Sequence, residues 1–172
     1  LTSLNADNMY SGREDRDVIY KQLIIDLQEA QDLCAWPNEI DATKTVERVN
    51  KVFVKGLLAR VCLQASGYAQ RLDGENRLST DPELSKARLY PIALQACKDV
   101  MEQEGTYVAL KSNFEDIFNN NGISGDVINA GSESLFEIGY SNNPVRYKAY
   151  HCRQYDNHAS GKPGWSYTNF LL

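Results

Sequence analysis

The sequence lacks several features that define common functional classes. No stretch approaches the roughly 18 consecutive apolar residues that a membrane-spanning helix needs. The 172 residues include only two histidines, and neither stands near a serine motif of the kind that marks a nucleophile. The net charge is −5 and no basic run occurs, which argues against nucleic acid as a partner. We therefore expect neither an enzyme nor a nucleic-acid-binding protein.

Cysteine is also sparse, and its spacing is not that of a metal site. No two of the four cysteines have the C-x-x-C spacing typical of zinc or redox centres. Cys34, Cys62 and Cys97 fall on apolar helical stripes, so we predict that they pack in the core as small hydrophobic residues. A disulfide is the main alternative for an exported protein.

The histidines belong to one short segment that also contains other potential metal ligands. His151, Cys152, Asp156 and His158 lie close in sequence, but a spacing of seven between the histidines fits no zinc signature. Structural or solvated roles are the better interpretation of this segment. We therefore predict no metal and no cofactor, and an enzyme that uses His151–His158 is only a third hypothesis.

Three helices are predicted from apolar periodicity. The first runs from about Glu14 to Cys34, with Ser11 and Glu14 as a capping box. Its apolar stripe consists of Tyr20, Leu23, Leu27, Ala30 and Cys34. The second spans Lys51–Ser66, with Asn50 as N-cap and with Gly56 predicting close approach of another helix backbone.

The third predicted helix contains a proline, which leaves its form open. Asp81-Pro82 is a helix start signal, but Pro91 would remove a hydrogen bond from a helix interior. Either a short helix ends before Tyr90 and a new one begins at Pro91, or one helix carries a kink. The expected apolar stripe consists of Leu94, Cys97, Val100 and Met101, and Gly105 ends the element.

The pattern as a whole predicts a mainly α fold with little β-structure. We expect residues 14–118 to form a helical core and residues 119–172 a loop-rich segment, within one domain over 1–172. A short helix is predicted at 113–118 and a short strand near 134–140. The helix pairs 14–66 and 82–118 are candidates for tetratricopeptide-like units, although the 34-residue consensus is poor.

Five segments resemble, in order, motifs of the SusD/RagB family. Arg48, Asn50-Lys51 and Leu57–Val61 resemble the family's "GR-x-T/N-K…ALLARVYL" helix. Upstream, Val18–Ala30 resembles "VYDQIIADLDEA". Downstream follow segments similar to "Y-x-KALEAA-x-x-VI-x-x-G-x-Y-x-L", "YADLF" and "SEVIFEI", namely Tyr90–Leu110, Phe114–Phe118 and Ser132–Ile138. The resemblance covers about Val18 to Tyr140.

This resemblance implies a fold, a function and a location. Members of the family are outer-membrane lipoproteins of Bacteroidetes with tetratricopeptide-like helices arranged as an α–α superhelix. They bind nutrients, usually glycans, and deliver them to a SusC-like TonB-dependent transporter. We therefore expect a surface-exposed, non-catalytic glycan-binding protein. We also expect a partial chain, because family members are several hundred residues long and carry a lipid anchor that would precede Leu1.

Aromatic residues are concentrated in the C-terminal third, where a sugar could stack on them. The candidate ligand-binding residues are Trp165, Tyr167, Tyr147, Tyr150, Tyr155 and Arg153. Gly164-Trp165-Ser166 resembles a Gly-Trp-Gly element of the family, with Ser166 departing from it. Packing of these aromatic residues against the helices is the alternative interpretation. The alternative function is a helical-repeat adaptor that binds a protein or peptide.

Overall fold

Helices dominate the part of the chain that the structure describes. The computed structural model describes residues 12–114, 131 and 133–137. Within them, α1 spans Arg16–Leu33, α2 spans Lys51–Ala65 and α3 spans Lys86–Met101. Two single-turn 3-10 helices, Asp41–Thr43 and Pro82–Leu84, precede α2 and α3. The predicted mainly α class is confirmed for these residues.

The second helix lies between the other two. It packs against α1 and against α3, and its buried residues cover a wide arc, as its sequence predicted. Burying one large aliphatic side chain contributes about 1.5–3 kcal/mol, so this arc is the main source of stability. The core cluster consists of Ile24, Leu58, Ala59, Val61, Cys62, Ala65, Leu84, Leu89, Ala93 and Ala96.

The start of α2 is confirmed as predicted. The Asn50 side-chain oxygen accepts a hydrogen bond from the Phe53 amide at 3.0 Å, which satisfies one of the unpaired amides of the first turn. Asn50 is only 1% exposed. Its side-chain amide also donates to the carbonyl of Leu135 at 3.4 Å, so one residue caps the helix and holds a distant segment.

The first helix begins later than predicted, and its buried face is different. Asp15 is the N-cap and accepts from the Asp17 amide at 2.7 Å, so the predicted capping box of Ser11 and Glu14 is wrong. Ile24 is the residue that α1 buries fully, and Tyr20 and Leu27 pack against the core beside it. Leu23 is exposed instead. Residues 20, 24 and 27 share the face of the helix that points toward α2, and Leu23 lies beside that face.

Pro91 lies in the interior of the third helix, so the predicted alternative of a new helix that begins at Pro91 is wrong. Ser85 caps it by accepting from the Arg88 amide, whereas Asp81 and Pro82 begin the preceding 3-10 turn. The predicted apolar stripe is wrong for Leu94, Cys97 and Met101, which are exposed. The face toward the core consists of Leu89, Ala93 and Ala96, because small side chains can fill an interface where larger apolar residues were expected.

The cysteines differ in burial. Cys62 is completely buried, as predicted, and burial raises the pKa of its thiol to about 11. Cys34 is half-buried and Cys97 is exposed, so the prediction of core packing is wrong for Cys97. All three are free thiols, whereas Cys152 lies outside the described residues.

A segment distant in sequence packs against the first turns of α2. The Leu135 side chain lies against Gly56, where an added Cβ would be 3.1 Å from Leu135 Cδ1. Among the described residues, the close approach to Gly56 is made by this side chain and not by the helix backbone that the sequence predicted. Phe136 and Phe53 have ring centroids 4.6 Å apart, and the Glu137 amide donates to the Val46 carbonyl at 2.9 Å.

Two predictions for this region have different outcomes. Residues 134–137 form no strand within the described part of the chain, while 138–140 lie outside it. Most of the predicted helix at 113–118 is also outside it.

The loop after Gly67 contains an antiparallel hairpin that the sequence did not predict, with strand β1 at Ala69–Gln70 and strand β2 at Asn76–Arg77.

We expect loss of the α2 cap to destabilise the protein. Asn50→Ala should lower the free energy of unfolding by about 1–2 kcal/mol, because an amide of the first turn loses its partner. Asn50→Ser retains a side-chain acceptor for the Phe53 amide and should lower the free energy of unfolding by less. Val49→Ala, at a half-exposed neighbour, is the control and should stay within about 0.5 kcal/mol in urea unfolding. Equal losses for Asn50→Ala and Val49→Ala would contradict the capping role.

Candidate functional site

The ligand-binding residues predicted from the sequence lie outside the described residues. This applies to Trp165, Tyr167, Tyr147, Tyr150, Tyr155 and Arg153. It applies equally to the segment His151–His158. Within the part of the chain that the structure describes, no three residues among His, Cys, Asp and Glu are arranged to hold a metal ion. The candidate site described below is therefore a different one.

A polar cleft of about 220 Å³ lies where the three helices meet. The end of α1 supplies two of its residues, the start of α2 supplies two, and three come from the end of α3 and the turn just after it. Since two helix ends meet one helix start, α2 runs opposite to its neighbours. The lining residues are Gln31, Asp32, Trp36, Lys51, Lys55, Asp99, Glu102 and Gln103.

An ion pair between the buried Lys55 and the half-buried Asp99 forms the floor of this cleft. Lys55 Nζ lies 2.6 Å from Asp99 Oδ2 and 3.1 Å from Gln31 Oε1, and therefore joins all three helices. Asp99 also accepts from Gln95 at 2.7 Å. The hydrogen bond from Lys55 holds the pKa of Asp99 below its usual range, because it favours the charged carboxylate more than burial disfavours it.

The indole of Trp36 forms one wall. The Tyr107 ring stacks on it at a centroid distance of 5.4 Å and an interplanar angle of 5°. The Lys51 ammonium lies over the indole, 5.4 Å from its centroid. Lys51 is half-buried, and displacing its ammonium from the aromatic ring costs about 0.5–2 kcal/mol, so a ligand can reach the indole by moving the flexible lysine.

Backbone contacts hold Trp36 in place after the end of α1. Its amide donates to a Glu39 carboxylate oxygen at 2.7 Å, and its carbonyl accepts from the Thr43 hydroxyl at 2.8 Å. The Lys51 amide donates to the neighbouring Ala35 carbonyl at 2.8 Å, which ties this turn to the start of α2. The indole is therefore positioned by the turn between α1 and α2.

The remaining groups of the cleft are open to a ligand. Asp32 and Glu102 are exposed carboxylates that form no ion pair within the described part of the chain. Gln103 adds an amide that can both donate and accept. Carboxylates and amides beside an aromatic wall can bind the hydroxyl groups and the apolar C–H face of a sugar.

A second surface, which we call the apolar groove, adjoins the end of α3. It encloses about 140 Å³ and is mostly apolar, although two glutamates contribute to its edge. Its lining residues are Val100, Met101, Glu104, Val108, Ala109, Leu110, Glu133 and Leu135. Met101 and Leu110 are largely exposed, so the groove is open to solvent.

A third group of polar residues connects the hairpin to α1. Asp17 accepts from Arg71 and from the Ser79 hydroxyl, and these bonds hold its pKa below the usual range although burial alone would raise it. Arg71 is buried and also donates to the Arg77 carbonyl at 3.2 Å. Among the described residues, one buried guanidinium nitrogen of Arg71 and one of Arg16 have no hydrogen-bond partner. The internal bonds indicate a structural role.

Comparison with known proteins gives no relative. No protein-family model matches the chain, and neither the curated proteins nor the solved structures give a match to it.

Sequence reasoning missed the cleft. Trp36 stands alone just after the first predicted helix, and Lys55 and Asp99 stand 44 positions apart. One signal was present, since Lys55 falls within an otherwise apolar stretch of α2 and therefore requires a partner.

The ion pair on the cleft floor should make stability depend on pH. Because the pKa of Asp99 is lower in the folded chain than in the unfolded one, its stabilisation is present above the unfolded value, about 3.9, and is lost as pH falls through the folded value. Asp99→Asn should cost about 1–3 kcal/mol near pH 7. The difference in free energy of unfolding between Asp99→Asn and the unsubstituted chain should shrink as the pH falls toward about 3.

Urea unfolding at several pH values measures this difference. Asp26→Asn, on the exposed side of α1, is the control for loss of one carboxylate elsewhere. A difference for Asp99→Asn that stayed constant from neutral to acid pH would show that the charge of Asp99 is not what stabilises the helices.

Proposed function

We propose that this protein is a non-catalytic glycan-binding protein. The polar cleft carries this proposal, because it combines an aromatic wall with carboxylate, amide and ammonium groups in a cavity of about 220 Å³. Such a set offers both stacking and directional hydrogen bonds to a polyol. The fixed turn around Trp36 and the ion pair below it give the cleft a preorganised shape, which lowers the entropic cost of binding.

The resemblance to the SusD/RagB family supports the same proposal and extends it. Two of the five family-like motifs contact each other, since Leu135 and Phe136 pack against Gly56 and Phe53. Three helices in alternating directions are compatible with a tetratricopeptide-like superhelix. We therefore propose delivery of the glycan to a SusC-like TonB-dependent transporter from a lipid-anchored position at the outer membrane.

This location does not rely on a helical membrane span. None of the helices in the described ranges is both long and apolar enough to cross a bilayer. In the proposed arrangement, attachment would come from a lipid anchor of the kind the family carries.

An adaptor that binds a protein or peptide is the second candidate. The apolar groove favours it, because exposed Met101 and Leu110 offer contact area to an apolar side chain. Exposed apolar residues on α1, among them Val18 and Ile25, offer further contact area outside the groove. The adaptor function uses a different surface from the cleft.

The chain contains two tryptophans, which allows a direct test of glycan binding. Trp165→Phe leaves Trp36 as the sole tryptophan, and Trp36→Phe leaves Trp165. We expect oligosaccharides that bind in a glycan array to change the fluorescence of the chain that retains Trp36. Trp36→Ala should weaken binding by about tenfold, because the aromatic wall of the cleft is lost.

The outcomes separate the candidates. A response confined to the chain that retains Trp165 would locate binding at the predicted C-terminal aromatic residues and exclude the cleft. Absence of binding to every oligosaccharide would contradict the proposed function. Far-ultraviolet circular dichroism of each variant checks that the helices are retained.

The groove has its own test. Met101→Glu places a charge in the apolar groove and should leave glycan affinity within about twofold, since Met101 does not line the cleft. If the protein is an adaptor, the same change should weaken the binding of a purified protein partner by tenfold or more. Loss of glycan affinity in Met101→Glu would show that the two surfaces are not independent.

A further inference from the structure

We propose that the cleft prefers saccharides that carry a protonated amine over neutral or acidic saccharides. This inference rests on the proposed glycan-binding function and specifies the chemical class of the ligand. Two independent features of the cleft support it: the charges of its open groups and the contact that Trp36 already makes.

The charges of the cleft favour a cation. Three carboxylates and two ammonium groups line it, which gives a net charge of −1. Asp99 and Lys55 neutralise each other at the floor. The groups that remain at the open side are the carboxylates of Asp32 and Glu102 and the Lys51 ammonium. An acidic sugar would be repelled by both carboxylates, whereas an amino sugar could pair with either.

The indole already accepts a cation. The Lys51 ammonium lies over the Trp36 ring at 5.4 Å from the centroid, within the range in which an aromatic quadrupole attracts positive charge. Lys51 forms no ion pair or side-chain hydrogen bond within the described ranges, so it is free to leave. A ligand ammonium can then occupy the same face of the indole.

The expected preference is moderate because the carboxylates are exposed. An exposed ion pair changes affinity by about twofold to fivefold, and salt screens it. With two carboxylates and one aromatic ring, we expect the amine to strengthen binding by about tenfold at low salt. The preference should fall when salt is added.

The test compares three sugars that share one linkage and differ in charge. These are the β-1,4-linked tetramers of glucosamine, glucose and glucuronate, and titration calorimetry of the full 172-residue chain measures their affinities. At about pH 5.5, carboxylates are ionised and sugar amines are protonated. The glucosamine tetramer should bind about tenfold more tightly than the glucose tetramer, and the glucuronate tetramer most weakly.

Substitutions at the cleft connect the preference to named residues. Asp32→Asn with Glu102→Gln should reduce the ratio of the affinities for the glucosamine and glucose tetramers to twofold or less. Glu29→Gln, an exposed carboxylate that does not line the cleft, is the matched control and should leave the preference unchanged. Lys51→Met should strengthen binding of the glucosamine tetramer, because a competing cation is removed.

The failures of the two proposals are distinguishable. If the glucose or glucuronate tetramer binds as tightly as the glucosamine tetramer, the amine preference is overturned and glycan binding stands. If the preference survives the double substitution, the cleft is not its source and the inference is overturned. If no tetramer binds and the glycan array also shows no binding, the proposed function itself fails.

Discussion

The buried ammonium of Lys55 constrains the arrangement of all three helices. A charge at a buried position of α2 is tolerated only when it is paired and hydrogen-bonded. Asp99 on α3 supplies the negative charge and Gln31 on α1 supplies a further acceptor. Apolar burial is non-directional, whereas these two bonds require particular positions on each helix.

This ion pair fixes the relative positions of the helices more than it adds to the net free energy of folding. Removing two charges from water offsets much of their attraction, and apolar replacements for buried pairs are often as stable. Most of the free energy of folding therefore comes from the leucines, valines and alanines around α2. The ion pair determines where the helix ends meet, and the cleft lies at that point.

Local features of the sequence predicted the helices well. The N-cap Asn50 and the break near Gly67 depend on neighbours in sequence, so α2 was predicted to within one residue. The buried face of α3 was not predicted. The size of Leu94 favours it as a core residue over Ala93, but the surface of α2 decides which side of α3 is buried, and Ala93 lies on that side. Contacts such as Leu135 on Gly56 join residues far apart, and no local pattern specifies them.

The cleft could not be predicted from the sequence for the same reason. Its lining extends from Gln31 to Gln103, and each residue alone has an ordinary role on a polar helix face or in a turn. Aromatic residues in the C-terminal third offered a clearer compositional signal, which is why they were predicted as ligand-binding residues. A single tryptophan beside a helix end gives no comparable signal until the three helix ends are brought together.

The last turns of α3 separate the two surfaces on which the functional proposals depend. Asp99, Glu102 and Gln103 face the polar cleft, whereas Val100, Met101 and Glu104 line the apolar groove. One short segment thus presents charged groups suited to a sugar and apolar groups suited to a protein. The two surfaces share a backbone but no side chains, so binding at one need not block the other, and a glycan-binding protein could also have a protein partner at the groove.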